Sequence, residues 1–81
     1  MKPRVTPLGN KNIIGKKVYT IRKEKKMKQK ELLAKLQTLG MDISATSLSR
    51  LEGQHRLVQD YEVLIISKAL DTPVDYLLSS K

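Results

Sequence analysis

Residues 29–53, QKELLAKLQTLGMDISATSLSRLEG, decide how this chain folds. Leu32, Leu33 and Leu36 recur at helical spacing and Gly40 closes the run, so a helix is predicted from Gln29 to about Thr38. Ser44 then stands where an N-cap is needed and Gly53 where a helix should stop, which marks a second, shorter helix over 45–52. Its only apolar teeth are Leu48 and Leu51, so it must lean on its neighbours. The opposite face carries Ala45, Thr46, Ser49 and Arg50: small or polar, and free of acids.

The same patterns extend outward. Ile14, Val18 and Ile21 recur at i, i+4, i+7 and predict a helix over about 13–25, with Asn12 as a candidate cap. Residues 53–59 read as a loop. Asp60 is then expected to cap a helix running to about Leu70, with Val63, Leu64, Ile66 and Leu70 turned inward. Thr72-Pro73-Val74-Asp75 is a start signal, a Thr cap with Pro at the first helical site, and Val74, Leu77 and Leu78 make the last helix amphipathic. Residues 1–12 hold two of the three Pro, a Gly and two Asn, and read as an irregular basic arm. The expected organisation is that arm, one all-α domain of five short helices over 13–78, and a tail at 79–81.

Composition narrows the function. Eighty-one residues allow one domain, and 23 Leu, Ile and Val suffice for one small core. There is no Cys, so disulfides and thiolate metal sites are excluded, in keeping with a reducing cytoplasm. No apolar run approaches the ~18 residues of a membrane helix. The N-terminus lacks the apolar stretch of a signal peptide. The lone His55 has no partner for metal or triad chemistry, and no catalytic constellation is visible, so neither an enzyme nor a cofactor is expected. Gly9 and Gly15 before Lys16-Lys17 imitate a phosphate-binding loop. Five residues separate the glycines instead of four, however, and Lys17 replaces the hydroxyl that would hold Mg²⁺.

What remains is charge. The chain carries +8, and nine basic residues (Lys16, Lys17, Arg22, Lys23, Lys25, Lys26, Lys28, Lys30, Lys35) fall between 16 and 35 against Glu24 and Glu31. A charge run alone fits a solvated surface, but this excess favours a polyphosphate partner, because neutralised phosphates release condensed counterions.

Four segments in order carry a sharper signal: Ile21-Arg22-Lys23-Glu24, Gln29-Lys30-Glu31-Leu32, Ser44 through Gly53, and Ile66-Ser67-Lys68-Ala69-Leu70. Together they resemble the λ-repressor-like (XRE/Cro-type) helix-turn-helix family over about residues 13–78. The resemblance implies a compact bundle of five helices whose third enters the DNA major groove. It implies phosphate contacts from Lys28 and Gln29 at the start of the second helix, from Ser47, and from Gln54, His55 and Arg56 after the third. It also implies a structural salt bridge between Arg22 and Glu52. On the third helix, Arg50 suits a guanine edge, Thr46 and Ser49 suit bases or phosphate, and Ala45 suits a thymine methyl. Two features depart from the family pattern: the turn around Leu39-Gly40-Met41-Asp42 is longer, and Leu33 stands where a small Ala is preferred.

The expectation is therefore a small bacterial or phage-type transcriptional regulator that binds double-stranded DNA, dimeric if its half-sites are symmetric, with no membrane and no small-molecule effector. A protein-interaction module such as an antitoxin, and sequence-blind nucleic-acid binding through the lysines, remain open beside it.

Overall fold

The computed structural model describes residues 9–79. Five helices follow in order: α1 (Gly15–Glu24), α2 (Gln29–Thr38), α3 (Ala45–Glu52), α4 (Asp60–Leu70) and α5 (Val74–Leu78). No strand occurs among the described residues. The protein is all-α, and every expected helix is present. α1 packs on α3 and α4, α2 on the same two, and α5 on α4. The core between them holds Ile14, Val18 and Ile21 of the first segment, Leu32 and Leu36 of α2, Leu48 and Leu51 of α3, Val63, Ile66, Ala69 and Leu70 of α4, and Leu77. This is the apolar periodicity of each helix converted into one buried cluster.

The helix ends show where local signals were overruled. Asn12 serves α1 from outside it: its Oδ1 accepts the Gly15 N–H at 2.7 Å, while Ile14 occupies the cap position. Asp60 is the first residue of α4 and not its cap. Gln59 holds that place, and Glu62 reaches back to accept the Gln59 N–H at 2.9 Å. Likewise Pro73, not Thr72, precedes α5, and the Thr72 hydroxyl donates instead to the Leu70 carbonyl at 3.0 Å. Ser44 does cap α3, accepting the Ser47 N–H at 3.1 Å. Gly53 ends α3 without adopting the left-handed conformation. That falls to Gln54 (φ 63°), whose chain reversal lets the His55 N–H reach the Arg50 carbonyl at 2.8 Å.

Three further expectations are corrected. Leu64 and Leu78 are about half exposed, because α4 and α5 each bury a narrower stripe than their apolar residues would allow; Ala69 takes an inward position on α4. Residues 9–12 are not a free arm. Gly9 and Lys11 donate to the carbonyls of Gly53 and Gln54, both at 2.8 Å, and Asn12 Nδ2 bonds the Leu51 and Arg56 carbonyls. The remainder of the expected arm, 1–8, and the last two residues of the tail lie outside the described residues. Finally, the long α2–α3 connection is not surplus loop. Met41 and Ile43 point into the core, 2% and 5% exposed, and Gln37 Nε2 donates to the Ile43 carbonyl at 2.9 Å. Gly40 (φ 98°) makes the reversal that turns Met41 inward, so the Met41 N–H closes on the Leu36 carbonyl at 2.9 Å.

Candidate nucleic-acid interface

The candidate surface is built on α3. Leu48 and Leu51 are fully buried, and the 3.6-residue period then turns Ala45, Thr46, Ser49 and Arg50 to the opposite side, where all four are exposed. Ser47 sits between the two faces, half-buried. No acid lies on the exposed face, since Glu52, the only one in α3, is 2% exposed.

Glu52 is engaged from the opposite direction. Arg22 of α1 donates Nε to Oε2 at 2.7 Å and Nη2 to Oε1 at 3.1 Å, and its Nη1 bonds the Met27 carbonyl at 2.9 Å. The expected pair therefore exists, bidentate and buried. It ties α1 to the end of α3 and to the turn that launches α2. The Tyr19 ring lies 5.4 Å from the guanidinium and adds cover on one side.

Gln29 is placed differently from the expectation. Its side chain is not turned out toward solvent: Nε2 donates to Glu52 Oε1 at 3.2 Å, and Oε1 accepts from Ser49 Oγ at 3.2 Å. It locks the start of α2 against α3 and sets the angle between them. The start of α2 thereby lies beside the exposed face of α3. Lys28 and Lys30 flank Gln29, and Lys23, Lys25 and Lys26 precede them, all exposed. The positive end of a helix dipole with lysines around it favours negative charge. Glu31 is already used internally, its Oε1 accepting the Lys28 N–H at 2.9 Å.

The loop after α3 is also more committed than its sequence suggested. Gln54 Nε2 donates to the Asn12 carbonyl at 2.8 Å, which binds it to the segment before α1. Arg56 is held by Glu62, with Nη2 to Oε2 at 3.0 Å and Nη1 to Oε1 at 3.3 Å, and its side chain is largely covered. Both side chains are engaged within the protein and fasten the loop. Of the three expected loop contacts, only His55 stays exposed. The Arg56–Glu62 pair spans six residues across a loop, a spacing with no helical or strand period to announce it. The second role of Asn12, beside its bond to the Gly15 N–H, has no local signal either, because Nδ2 donates to backbone carbonyls about 40 residues away.

Burial pushes the Glu62 carboxyl up, but the Arg56 guanidinium and the Gln59 N–H outweigh it and hold the group below its ordinary value. A carboxylate with a lowered folded-state pKa stabilises the fold above its unfolded pKa of ~4.3, and that contribution fades as pH falls through the folded value. Thermal melts should therefore show stability falling below about pH 4.3. Glu62→Gln should flatten this acid limb. An acid limb identical in the two proteins would exclude Glu62 as a contributor.

Taken together, these features define a small all-helical module with one acid-free helix face beside a lysine-rich helix start. No family model, curated protein or solved structure matches the chain. Among the described residues no group of His, Asp or Glu is placed to hold a metal ion, and no helix is long and apolar enough to cross a membrane.

Proposed function

We propose that this chain is a small, repressor-like transcriptional regulator of the λ-repressor-like type, which binds duplex DNA sequence-specifically with α3 in the major groove. The observation that carries this reading is the exposed face of Ala45, Thr46, Ser49 and Arg50, held outward by fully buried Leu48 and Leu51. Around it, Lys28, Lys30 and the N–H groups at the start of α2 supply phosphate contacts that set register, while α3 reads bases. His55 and the half-buried Ser47 complete the phosphate-facing set.

Selection from random duplexes tests this: a recurrent motif is expected, and an unenriched pool overturns it. On the selected site, Arg50→Ala should cost ~1–3 kcal/mol at one base position and relax the preference there, leaving the other positions intact. Lys28→Ala should weaken binding to every sequence alike. It should also reduce the slope of log K against log salt by about 0.9, the value for one phosphate contact on duplex DNA. Affinity that does not change with salt would remove the electrostatic part of the mechanism.

A second reading, a protein-interaction module such as an antitoxin, draws on the apolar groups exposed before and along α4: Leu57 at 73%, Tyr61 at 55% and Leu64 at 50%. Tyr61 and Leu64 stand three residues apart on α4, a spacing that places them on one side of the helix. Under that reading the random duplexes yield no motif.

A further inference from the structure

We infer that Ser49 determines specificity as a pure hydrogen-bond acceptor and selects the exocyclic amino group of an adenine or a cytosine, an inference that rests on α3 being the base-contacting helix. The polarity is set from the core outward. Glu52 is buried and receives two N–H groups of Arg22, so its carboxylate oxygens have only lone pairs to offer. The Gln29 amide must then turn its Nε2 toward Glu52, as it does at 3.2 Å. This leaves Gln29 Oε1 facing α3, where it accepts from Ser49 Oγ at 3.2 Å. A hydroxyl has one hydrogen, and that hydrogen is now used. The reverse order would set the Gln29 carbonyl against a buried carboxylate, with nothing to offset the repulsion.

Ser49 thus presents only lone pairs on its exposed side. In the major groove the donors are adenine N6 and cytosine N4, whereas guanine N7 and O6, thymine O4 and adenine N7 are acceptors. Phosphate oxygens are acceptors as well. Ser49 is therefore unsuited to phosphate and to the keto bases, and the choice is made by Arg22, Glu52 and Gln29, none of which need touch DNA. These three are positioning residues.

The test uses the full chain and its selected duplex. At the position whose preference disappears in Ser49→Ala, the exocyclic amino group is removed by replacing adenine with purine or cytosine with 2-pyrimidinone. In a separate duplex the purine N7 of that base pair is removed by a 7-deaza base. Loss of the amino group should weaken wild-type binding about five- to tenfold, the worth of one hydrogen bond, while loss of N7 should leave it unchanged. Ser49→Ala should respond to neither. Gln29→Ala frees the hydroxyl hydrogen to donate as well as accept, for instance to a purine N7, so that variant should lose less affinity than the wild type when the amino group is removed. Its melt is recorded beside it, and the wild-type series decides alone if it does not fold. Dependence on N7 in place of the amino group overturns the inference. So does a selected site at which Ser49→Ala alters no position, although DNA binding would then stand. If no site can be selected at all, the reading of α3 fails first and the inference falls with it.

Discussion

Glu52→Ala should lower the stability of this domain by ~3–5 kcal/mol, the cost of leaving a buried guanidinium without its partner. For a domain of this size each kcal/mol moves the melting midpoint by roughly 4–8 °C, so the midpoint should fall by at least ~12 °C. The effect is large because several groups depend on this carboxylate. Arg22 would lose both of its bonds to it, and Gln29 would lose the bond that orients its amide. Glu52→Gln retains an acceptor and should cost less than Glu52→Ala. The paired change Arg22→Met with Glu52→Met should recover part of the loss, since two apolar chains leave no unpaired charge behind. A midpoint for Glu52→Ala within a degree or two of the wild type would mean that water reaches this pair in solution. DNA affinity should fall in step with the folded fraction. Any change in base preference should appear only where Ser49 reads.

Met41→Ala should cost ~2–5 kcal/mol, as expected for truncating a buried side chain of this size. Nothing about a connection between two helices suggests such a penalty, which makes the measurement informative. Met41 is 2% exposed and lies between the two helices on which the proposed function depends. Leu39→Ala, two residues earlier and about half exposed, should stay within ~0.5 kcal/mol of the wild type. Denaturant titrations of the two variants provide the comparison. Equal losses would show that the connection is not a working part of the core.

The longer connection also bears on groove geometry. Extra residues between α2 and α3 would be expected to loosen their mutual angle. Here two of them, Met41 and Ile43, are drawn into the core, and Gln29 clasps Ser49 and Glu52 at the other end of α2. The pair of helices is thus fixed at both ends despite the added length. Leu33, large where a small residue was expected, is only partly buried, so its bulk lies at the edge of the helix contact.

Elsewhere the chain accepts local strain for compact helix ends. Lys26, Gln54 and Asp71 all take the left-handed conformation at or just after a helix end, where Gly would be unstrained. Lys17 serves the end of α5 from a distance: its Nζ donates to the Tyr76 and Ser79 carbonyls, both at 2.8 Å, and so satisfies the C-terminal turn of α5 from α1.

The sequence by itself determined the number and order of the helices, the buried edges of α1 to α3 and the identity of the exposed face of α3. These follow from apolar periodicity and from caps such as Ser44, which act within a few residues and need no knowledge of the rest of the chain. On α4 and α5 it turned Leu64 and Leu78 inward, where the fold leaves them half exposed. The Arg22–Glu52 pair was legible only through resemblance, because thirty residues separate its members. Tertiary structure alone decided what the polar side chains do. Gln29, Gln54 and Arg56 have the same chemistry whether they face phosphate or protein, and each was claimed by a partner from another segment: Glu52 and Ser49, the Asn12 carbonyl, and Glu62. Hydrogen bonds are short and directional, so a polar group's role depends on which neighbour the fold brings within about 3 Å. Burial of Met41 and Ile43 was hidden for a related reason: a connection has no period from which an inward face could be read.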